Sequence, residues 1–136
     1  MTLASVQEAV AGADAVVVAL ALTDETRGVV DGALLESMGP QCWLVNVARG
    51  GHVDHAALEA ALRSGTIAGA VLDVTEPEPL PDDSGLWALP NCVITPHIGN
   101  TREMGLPLIT NRVRENVRRW LDGEELLGLV DVALGY

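Results

Sequence analysis

The sequence predicts an α/β fold with a parallel sheet, flanking helices and a long carboxyl-terminal helix. Short apolar runs alternate with amphipathic segments along the 136 residues. None of the apolar runs has the in–out alternation of a half-exposed antiparallel strand. Strands that alternate with helices favour a parallel sheet with right-handed crossovers. We therefore expect one domain, residues 1–136, in which residues 101–136 form the last helix and a tail.

Four apolar runs carry the strand prediction, at residues 15–20, 43–47, 70–74 and 92–95. They are short, continuous and rich in β-branched side chains, as in strands of a parallel sheet. We expect these strands to be buried on both faces.

Helical patterns lie around these runs, at residues 4–11, 31–37, 54–64 and 102–121. The third is the clearest, because Asp54 can cap its first turn and Gly65 follows at the usual stop position. The last one has a weak point at residues 105–107, which include a proline. Residues 77–90 contain four prolines and predict an irregular, exposed loop.

Composition and charge exclude several classes of protein. The net charge is −11, which repels phosphate backbones and argues against nucleic acid and anionic membranes as partners. No apolar stretch approaches the ~20 residues that cross a bilayer, and no signal peptide opens the chain, so the cytoplasm is the expected location. Cys42 and Cys92 stand in apolar runs and predict reduced, buried thiols.

Polar residues follow the predicted carboxyl ends of the strands, where parallel sheets place their ligands. Arg49 stands in a glycine turn and could bind a carboxylate through two parallel hydrogen bonds. His97 is a candidate proton donor, and either Glu76 or Glu78 could hold its ring. Asp73 ends an apolar run and could accept from a ligand amide. Each of these residues alone is more often structural, but together they predict a site.

His52 and His55 flank the start of the third helical pattern. Their spacing fits no standard metal site, and no metal is expected. We expect a solvated helix entrance there.

Three motifs, in order and with matching spacing, carry a family resemblance: LVNVARGGHVD at residues 44–54, AVLDVTEPEPL at residues 70–80 and TPHIG at residues 95–99. They closely resemble the D-isomer-specific 2-hydroxyacid dehydrogenases, and residues 20–28 look like that family's nucleotide-side loop. The resemblance implies a Rossmann-like sheet and NAD or NADP as cofactor. The substrate implied is a small 2-oxo acid that is reduced to the D-2-hydroxy acid, with glyoxylate or hydroxypyruvate preferred over phosphoglycerate.

The resemblance also assigns roles by position. Arg49 resembles the arginine that binds the substrate carboxylate, and His97 resembles the acid that protonates the 2-oxo group. Its partner falls at Glu78 rather than Glu76. Further cofactor contacts are implied, alongside Arg49 and His97, at Leu20, Thr26, Val47, Ala48, Asp73 and Gly99.

The chain departs from the family pattern at three points. Ala21 replaces a usual proline, Thr75 replaces a usual aromatic residue, and no G-x-G-x-x-G follows a strand. The resemblance thus implies a partial NAD-binding domain that lacks its glycine-rich half. We expect the 136-residue chain alone to bind reduced nicotinamide very weakly or not at all.

Three interpretations remain open at this point. The chain is a catalytic part of a homo-oligomeric oxidoreductase, a non-catalytic interaction module derived from one, or half of an enzyme that a second chain completes. In the absence of a partner domain, an apolar stripe on the last helix would favour association: Ile109, Val113, Val117 and Leu121.

Overall fold

The computed structural model describes residues 3–133 and 135. The chain divides into two compact units, residues 1–97 and residues 98–136. The assignment of residues 1–136 to one partial domain stays a prediction.

The first unit alternates helices and strands, which confirms the α/β prediction. Its elements are α1 (Leu3–Val10), β1 (Ala15–Val18), α2 (Gly32–Met38), β2 (Trp43–Asn46), α3 (His55–Ser64), β3 (Gly69–Leu72) and β4 (Cys92–Ile94). Short 3₁₀ turns occur at Gly50–His52 and Gly85–Ala88.

The four strands form one parallel sheet in the order β1-β2-β3-β4. The register places one residue of each strand in a row across the carboxyl edge: Val18, Asn46, Leu72 and Ile94. The segments that follow these residues therefore leave the sheet side by side. This arrangement brings the predicted site residues of the first unit to one edge.

One face of the sheet is covered and the other is open within the first unit. Leu44, Ala70 and Leu72 belong to the core that includes the buried side chains of α2 and α3. Side chains alternate along a strand, so the neighbouring positions point to the opposite face. A row of paired valines lies there, and its outer members are 59% exposed at Val17 and 49% at Val93. The prediction of strands buried on both faces is therefore wrong.

The predicted boundaries of α3 are confirmed. The Asp54 carboxylate accepts from the backbone N–H groups of Ala56 and Ala57 at 2.9 and 3.0 Å. Gly65 ends the helix in the left-handed conformation, with φ 74°. Both ends follow ordinary capping chemistry, which explains why sequence located them.

Residues 77–90 are less irregular than predicted. Asp82 and Asp83 are exposed, but Leu80, Leu86 and Leu89 belong to the core. The Trp87 indole N–H donates to the Pro81 carbonyl at 2.9 Å. These three leucines pack the loop against the core. The prediction of a wholly exposed loop is therefore corrected.

The second unit is built on α4 (Arg102–Asp122), which contains Pro107 without a break. The Thr101 hydroxyl accepts from the Met104 N–H at its start, and Gly123 ends it. The Asn116 amide donates to the Leu127 carbonyl at 3.1 Å and accepts from the Leu127 N–H at 2.9 Å. These two bonds hold the following tail against the helix.

No helix among the described residues is both long and apolar enough to span a bilayer. Cys42 and Cys92 are free thiols. Cys42 is buried as predicted, whereas Cys92 is half-buried. Burial raises the pKa of the Cys92 thiol to about 11.

Candidate active site

The turn after β2 carries Arg49 on a fixed backbone. Asn46 is fully buried, and its side chain accepts from the Ala48 N–H at 3.1 Å and donates to the Arg49 carbonyl at 2.9 Å. The Arg49 side chain is exposed and donates to the Ala48 carbonyl at 2.6 Å. No carboxylate within residues 3–133 pairs with its guanidinium, so its remaining donors can bind an anion.

Gly50 must be a glycine because the neighbouring backbone occupies the space of a side chain, whereas only movable side-chain ends occupy that space at Gly51. A Cβ atom on Gly50 would overlap the carbonyl group of Thr75. A Cβ atom on Gly51 would overlap the Glu76 carboxylate and lie 2.8 Å from Arg27 Nη1. The turns after β2 and β3 are thus in direct contact.

Glu76 and Glu78 have different partners. Glu76 pairs with Arg27 at 3.0 Å, and both side chains are about half exposed. Glu78 Oε1 lies 2.6 Å from His97 Nδ1. The sequence left the choice between them open until the family resemblance assigned Glu78, and the geometry pairs that same residue with His97.

His97 has a backbone φ of 55°, the one positive value at a non-glycine residue in the described chain. This left-handed conformation is uncommon for non-glycine residues, although histidine adopts it more readily than most, and it costs free energy. The His97 N–H donates to the Thr95 carbonyl at 3.0 Å, and Pro96 lies between them. Together with the Glu78 contact, this turn fixes the direction of the imidazole.

Asp73 leaves β3 at the adjacent position and is 7% exposed. Its N–H donates to the Asn46 carbonyl at 3.0 Å, and its Oδ1 accepts from the Thr95 hydroxyl at 2.6 Å. The carboxylate therefore links the ends of β3 and β4. Hydrogen bonding offsets the cost of its burial.

A cavity of about 400 Å³ lies beside Asp73, Glu78 and His97, and Arg49 is not part of its lining. It suits a small acid and a flat ring rather than a whole dinucleotide. Three predicted site residues line it, namely Asp73, Glu78 and His97. The rest of the lining is mostly apolar: Thr75, Pro79, Leu80, Trp87, Ile94, Thr95 and Pro96. Sequence reasoning missed Trp87, although a tryptophan in a proline-rich loop beside the site could have signalled it.

The other predicted cofactor contacts lie outside this lining. Leu20 and Val47 are exposed and Ala48 is buried, just beyond the ends of β1 and β2. The Thr26 hydroxyl donates to the Ala21 carbonyl at 2.7 Å, which closes the loop after β1. Gly99 belongs to the second unit.

The prediction of a solvated histidine pair is wrong. His52 is fully buried, and both ring nitrogens lie near backbone carbonyl oxygens. His55 is partly buried, and its Nε2 is buried without a hydrogen-bond partner. Burial lowers the pKa of His55 below the usual 6.5, against smaller opposite effects of Glu76 and Asp54. No group of three potential metal ligands occurs among the residues that the structure covers.

Comparison with known proteins places these features in a family context. Residues 1–99 match the D-isomer specific 2-hydroxyacid dehydrogenase, NAD binding domain. An uncharacterised protein of Corynebacterium melassecola is 46% identical over 93% of this chain, and the match covers 41% of that protein. A glyoxylate/hydroxypyruvate reductase A of Klebsiella pneumoniae is 43% identical over 84% of this chain and 36% of its own length.

Two solved structures are also similar. A D-isomer specific 2-hydroxyacid dehydrogenase from Xanthobacter autotrophicus, in complex with NADPH and MES, has a TM-score of 0.87 and 45% identity, covering 98% of this chain and 55% of that one. The second is an NADPH-dependent glyoxylate/hydroxypyruvate reductase from Sinorhizobium meliloti, in complex with NADP and sulfate. It has a TM-score of 0.89 and 31% identity, and the match covers 98% of this chain and 43% of that one. The chain spans about two-fifths of the length of the curated relatives it matches.

Proposed function

Since this chain belongs to the D-isomer specific 2-hydroxyacid dehydrogenase family, we propose that it carries the substrate-binding and proton-transfer groups of an oxidoreductase. The reaction is the reduction of a small 2-oxo acid to the D-2-hydroxy acid with NAD or NADP. Glyoxylate and hydroxypyruvate are the favoured substrates, because relatives that match most of this chain bear those names. NADP is the favoured cofactor, because both solved relatives above hold it.

The observation that carries this proposal is the contact of 2.6 Å between Glu78 and His97 beside the cavity. Glu78 accepts from Nδ1–H, which leaves Nε2 as the nitrogen that exchanges a proton with the substrate. In reduction, protonated His97 donates from Nε2 to the oxygen of the 2-oxo group. In oxidation, neutral His97 accepts the hydroxyl proton at the same atom.

Arg49 supplies the second function, which is orientation. Its guanidinium can pair with the substrate carboxylate through two parallel hydrogen bonds, and the rigid backbone beneath it limits the entropy lost on binding. The acidic balance of the protein does not oppose this, because the local donors of Arg49 decide binding at short range.

The residues of this chain fit the nicotinamide end of the cofactor. Asp73 faces the cavity beside Thr95 and has the chemistry to accept from a carboxamide N–H. When bound, the cofactor supplies the hydride. The glycine-rich turn that holds a pyrophosphate does not occur in the 136 residues.

The direct test is the oxidation of NADPH and NADH by glyoxylate and hydroxypyruvate, measured on the protein as isolated from its source cells. We expect Arg49→Ala and His97→Ala each to lower kcat/KM by roughly 10²- to 10⁴-fold. Arg63→Ala is the matched control, because Arg63 is an exposed arginine on α3 that pairs with Glu59. An active protein in which His97→Ala leaves turnover intact would remove His97 from the mechanism.

A second candidate function is a non-catalytic interaction module. It is favoured by α4, where no described residue is buried within its own unit. Calorimetric titration of the 136-residue chain with NADPH tests this candidate: the absent pyrophosphate turn predicts very weak or no binding by this chain alone, and micromolar binding would contradict that and count against a non-catalytic module.

Two further parts of the proposal concern the protein in the cell. We propose that the active protein is a homo-oligomer, with a dimer expected first, and that it works in the cytoplasm. Sedimentation of the purified protein and fractionation of its source cells test these two points.

A further inference from the structure

His52 is a fully buried polar residue for which the proposed reaction has no use. It lies in the 3₁₀ turn between β2 and α3. A buried imidazole is retained only where hydrogen bonds offset its desolvation. The partners of this ring therefore indicate what it does.

The ring reaches two different segments of the site. Nδ1 lies 3.0 Å from the carbonyl oxygen of Arg49, and Nε2 lies 3.3 Å from the carbonyl oxygen of Ala21. A neutral ring donates to one carbonyl, and the shorter distance favours Arg49, so the ring meets the Ala21 carbonyl by packing contact. The imidazole thus spans the gap between the turn after β2 and the loop after β1.

Both carbonyl groups belong to segments that carry candidate binding residues. The Arg49 carbonyl also accepts from the Asn46 amide, so its peptide is held from two sides while the guanidinium stays exposed. The Ala21 carbonyl accepts from the Thr26 hydroxyl. Leu20 and Thr26, the candidate cofactor contacts, flank this carbonyl in sequence.

The backbone of His52 adds a third connection. Its carbonyl accepts from the Val30 N–H at 2.9 Å, and the preceding Gly51 carbonyl accepts from the Gly28 N–H at 2.8 Å. Residues 28–30, which follow the loop after β1, are therefore hydrogen-bonded to the 3₁₀ turn that contains His52. The ring and the backbone together join residues 20–30 to residues 49–52.

We propose that His52 is a positioning residue that fixes the substrate-binding Arg49 relative to the cofactor-side loop at residues 20–26. Its effect on catalysis rests on the proposed function, but its effect on the structure does not. Arginine placement controls how a carboxylate is held, and misplacement of a binding group by about an ångström can cost up to ~10²-fold in rate.

The test compares three variants of the protein. His52→Ala removes both ring contacts. His52→Asn places an amide donor near the position of Nδ1 and is too short to reach Ala21. Met38→Ala is the control for lost core packing, because Met38 is 2% exposed and lies on α2.

Steady-state kinetics with glyoxylate give the first readout. We expect His52→Ala to raise KM for the acid roughly tenfold with a smaller change in kcat, and His52→Asn to recover only part of that loss, because it restores the contact with Arg49 but not the one with Ala21. Met38→Ala should lower stability without moving KM. Equal KM values for His52→Ala and Met38→Ala would overturn the proposal.

Hydrogen exchange followed by mass spectrometry gives a second readout that needs no turnover. In both His52 variants we expect peptides covering residues 20–28 to exchange faster than in the parent protein, and more so than in Met38→Ala. Unchanged exchange there would overturn the proposal. A protein that reduces no 2-oxo acid yet shows this exchange pattern would contradict the proposed function alone.

Discussion

At Glu78, one contact engages Nδ1 of His97, which makes Nε2 the nitrogen proposed for proton transfer. The same carboxylate fixes the ring, and the neighbouring Glu76 is engaged by Arg27 instead. Two glutamates separated by one proline therefore have different partners. The difference is geometric, because both side chains are about half exposed.

Substitution of these two glutamates should separate catalysis from loop packing. We expect Glu78→Ala to lower kcat strongly, since His97 loses its orienting partner, and Glu76→Ala to have the smaller effect. The measurement is kcat and kcat/KM for each variant with the same substrate. A larger loss for Glu76→Ala would contradict the assigned pairing.

A second single residue, His55, predicts that the stability of the protein depends on pH. Burial disfavours the protonated ring in the folded chain, so the unfolded chain binds that proton more readily. The free energy of unfolding should therefore decrease as pH falls below about 6.5, the usual histidine value.

His55→Gln removes the titrating group at similar size. Denaturant unfolding at pH 7.5 and at pH 5.5, roughly one unit either side of that value, measures the effect. The variant should lose less stability between the two conditions than the parent protein. An equal loss in both would show that titrating groups other than His55 cause the acid sensitivity.

Among the elements, the turns after β2 and β3 are the most constrained. We expect Gly50→Ala to destabilise the protein by about 1–3 kcal/mol, because the added methyl group overlaps the Thr75 carbonyl. Gly32→Ala is the matched control, since its nearest neighbour would be Ala57 Cβ at 3.9 Å and alanine favours a helix. Thermal unfolding of both variants measures the difference.

Sequence patterns located the helices and strands to within a few residues where local chemistry determines them. Asp54 and Gly65 are such cases, because capping depends on nearby atoms. The open sheet face at Val17 was not predictable, because a β-branched run is the same whether one or both faces are covered. The burial of His52 was missed for a related reason, since its partner Ala21 lies 31 residues away.

The candidate site was likewise predictable from the sequence only in part. Family-like motifs identified Arg49, Glu78 and His97, and geometry pairs the last two. Spacing alone did not choose Glu78 over Glu76. The roles themselves stay predictions, as do the cofactor contacts at Leu20, Thr26, Val47, Ala48, Asp73 and Gly99.

At the scale of the whole molecule, apolar surface is exposed in each unit. The stripe predicted on α4 is exposed within the second unit, with Ile109 at 62% and Leu121 at 77%. Exposed apolar patches of this kind favour association, whereas the net charge of −11 opposes it at low ionic strength.

Sedimentation velocity at physiological salt should therefore show association that rises with protein concentration. Val113→Glu should reduce it by placing a charge in the stripe. Asn111→Glu is the control, because it adds the same charge at an exposed polar position. Equal sedimentation of the two variants would show that the stripe is not responsible.

The contact between Gly50 and the Thr75 carbonyl also limits how such a protein can diverge or be redesigned. A loop grafted after β2 from another enzyme would place side chains in space that the loop after β3 already occupies. The two loops must therefore be exchanged as a pair. Recombination that cuts between them, anywhere from residue 51 to residue 74, should yield inactive chimaeras more often than recombination outside that interval.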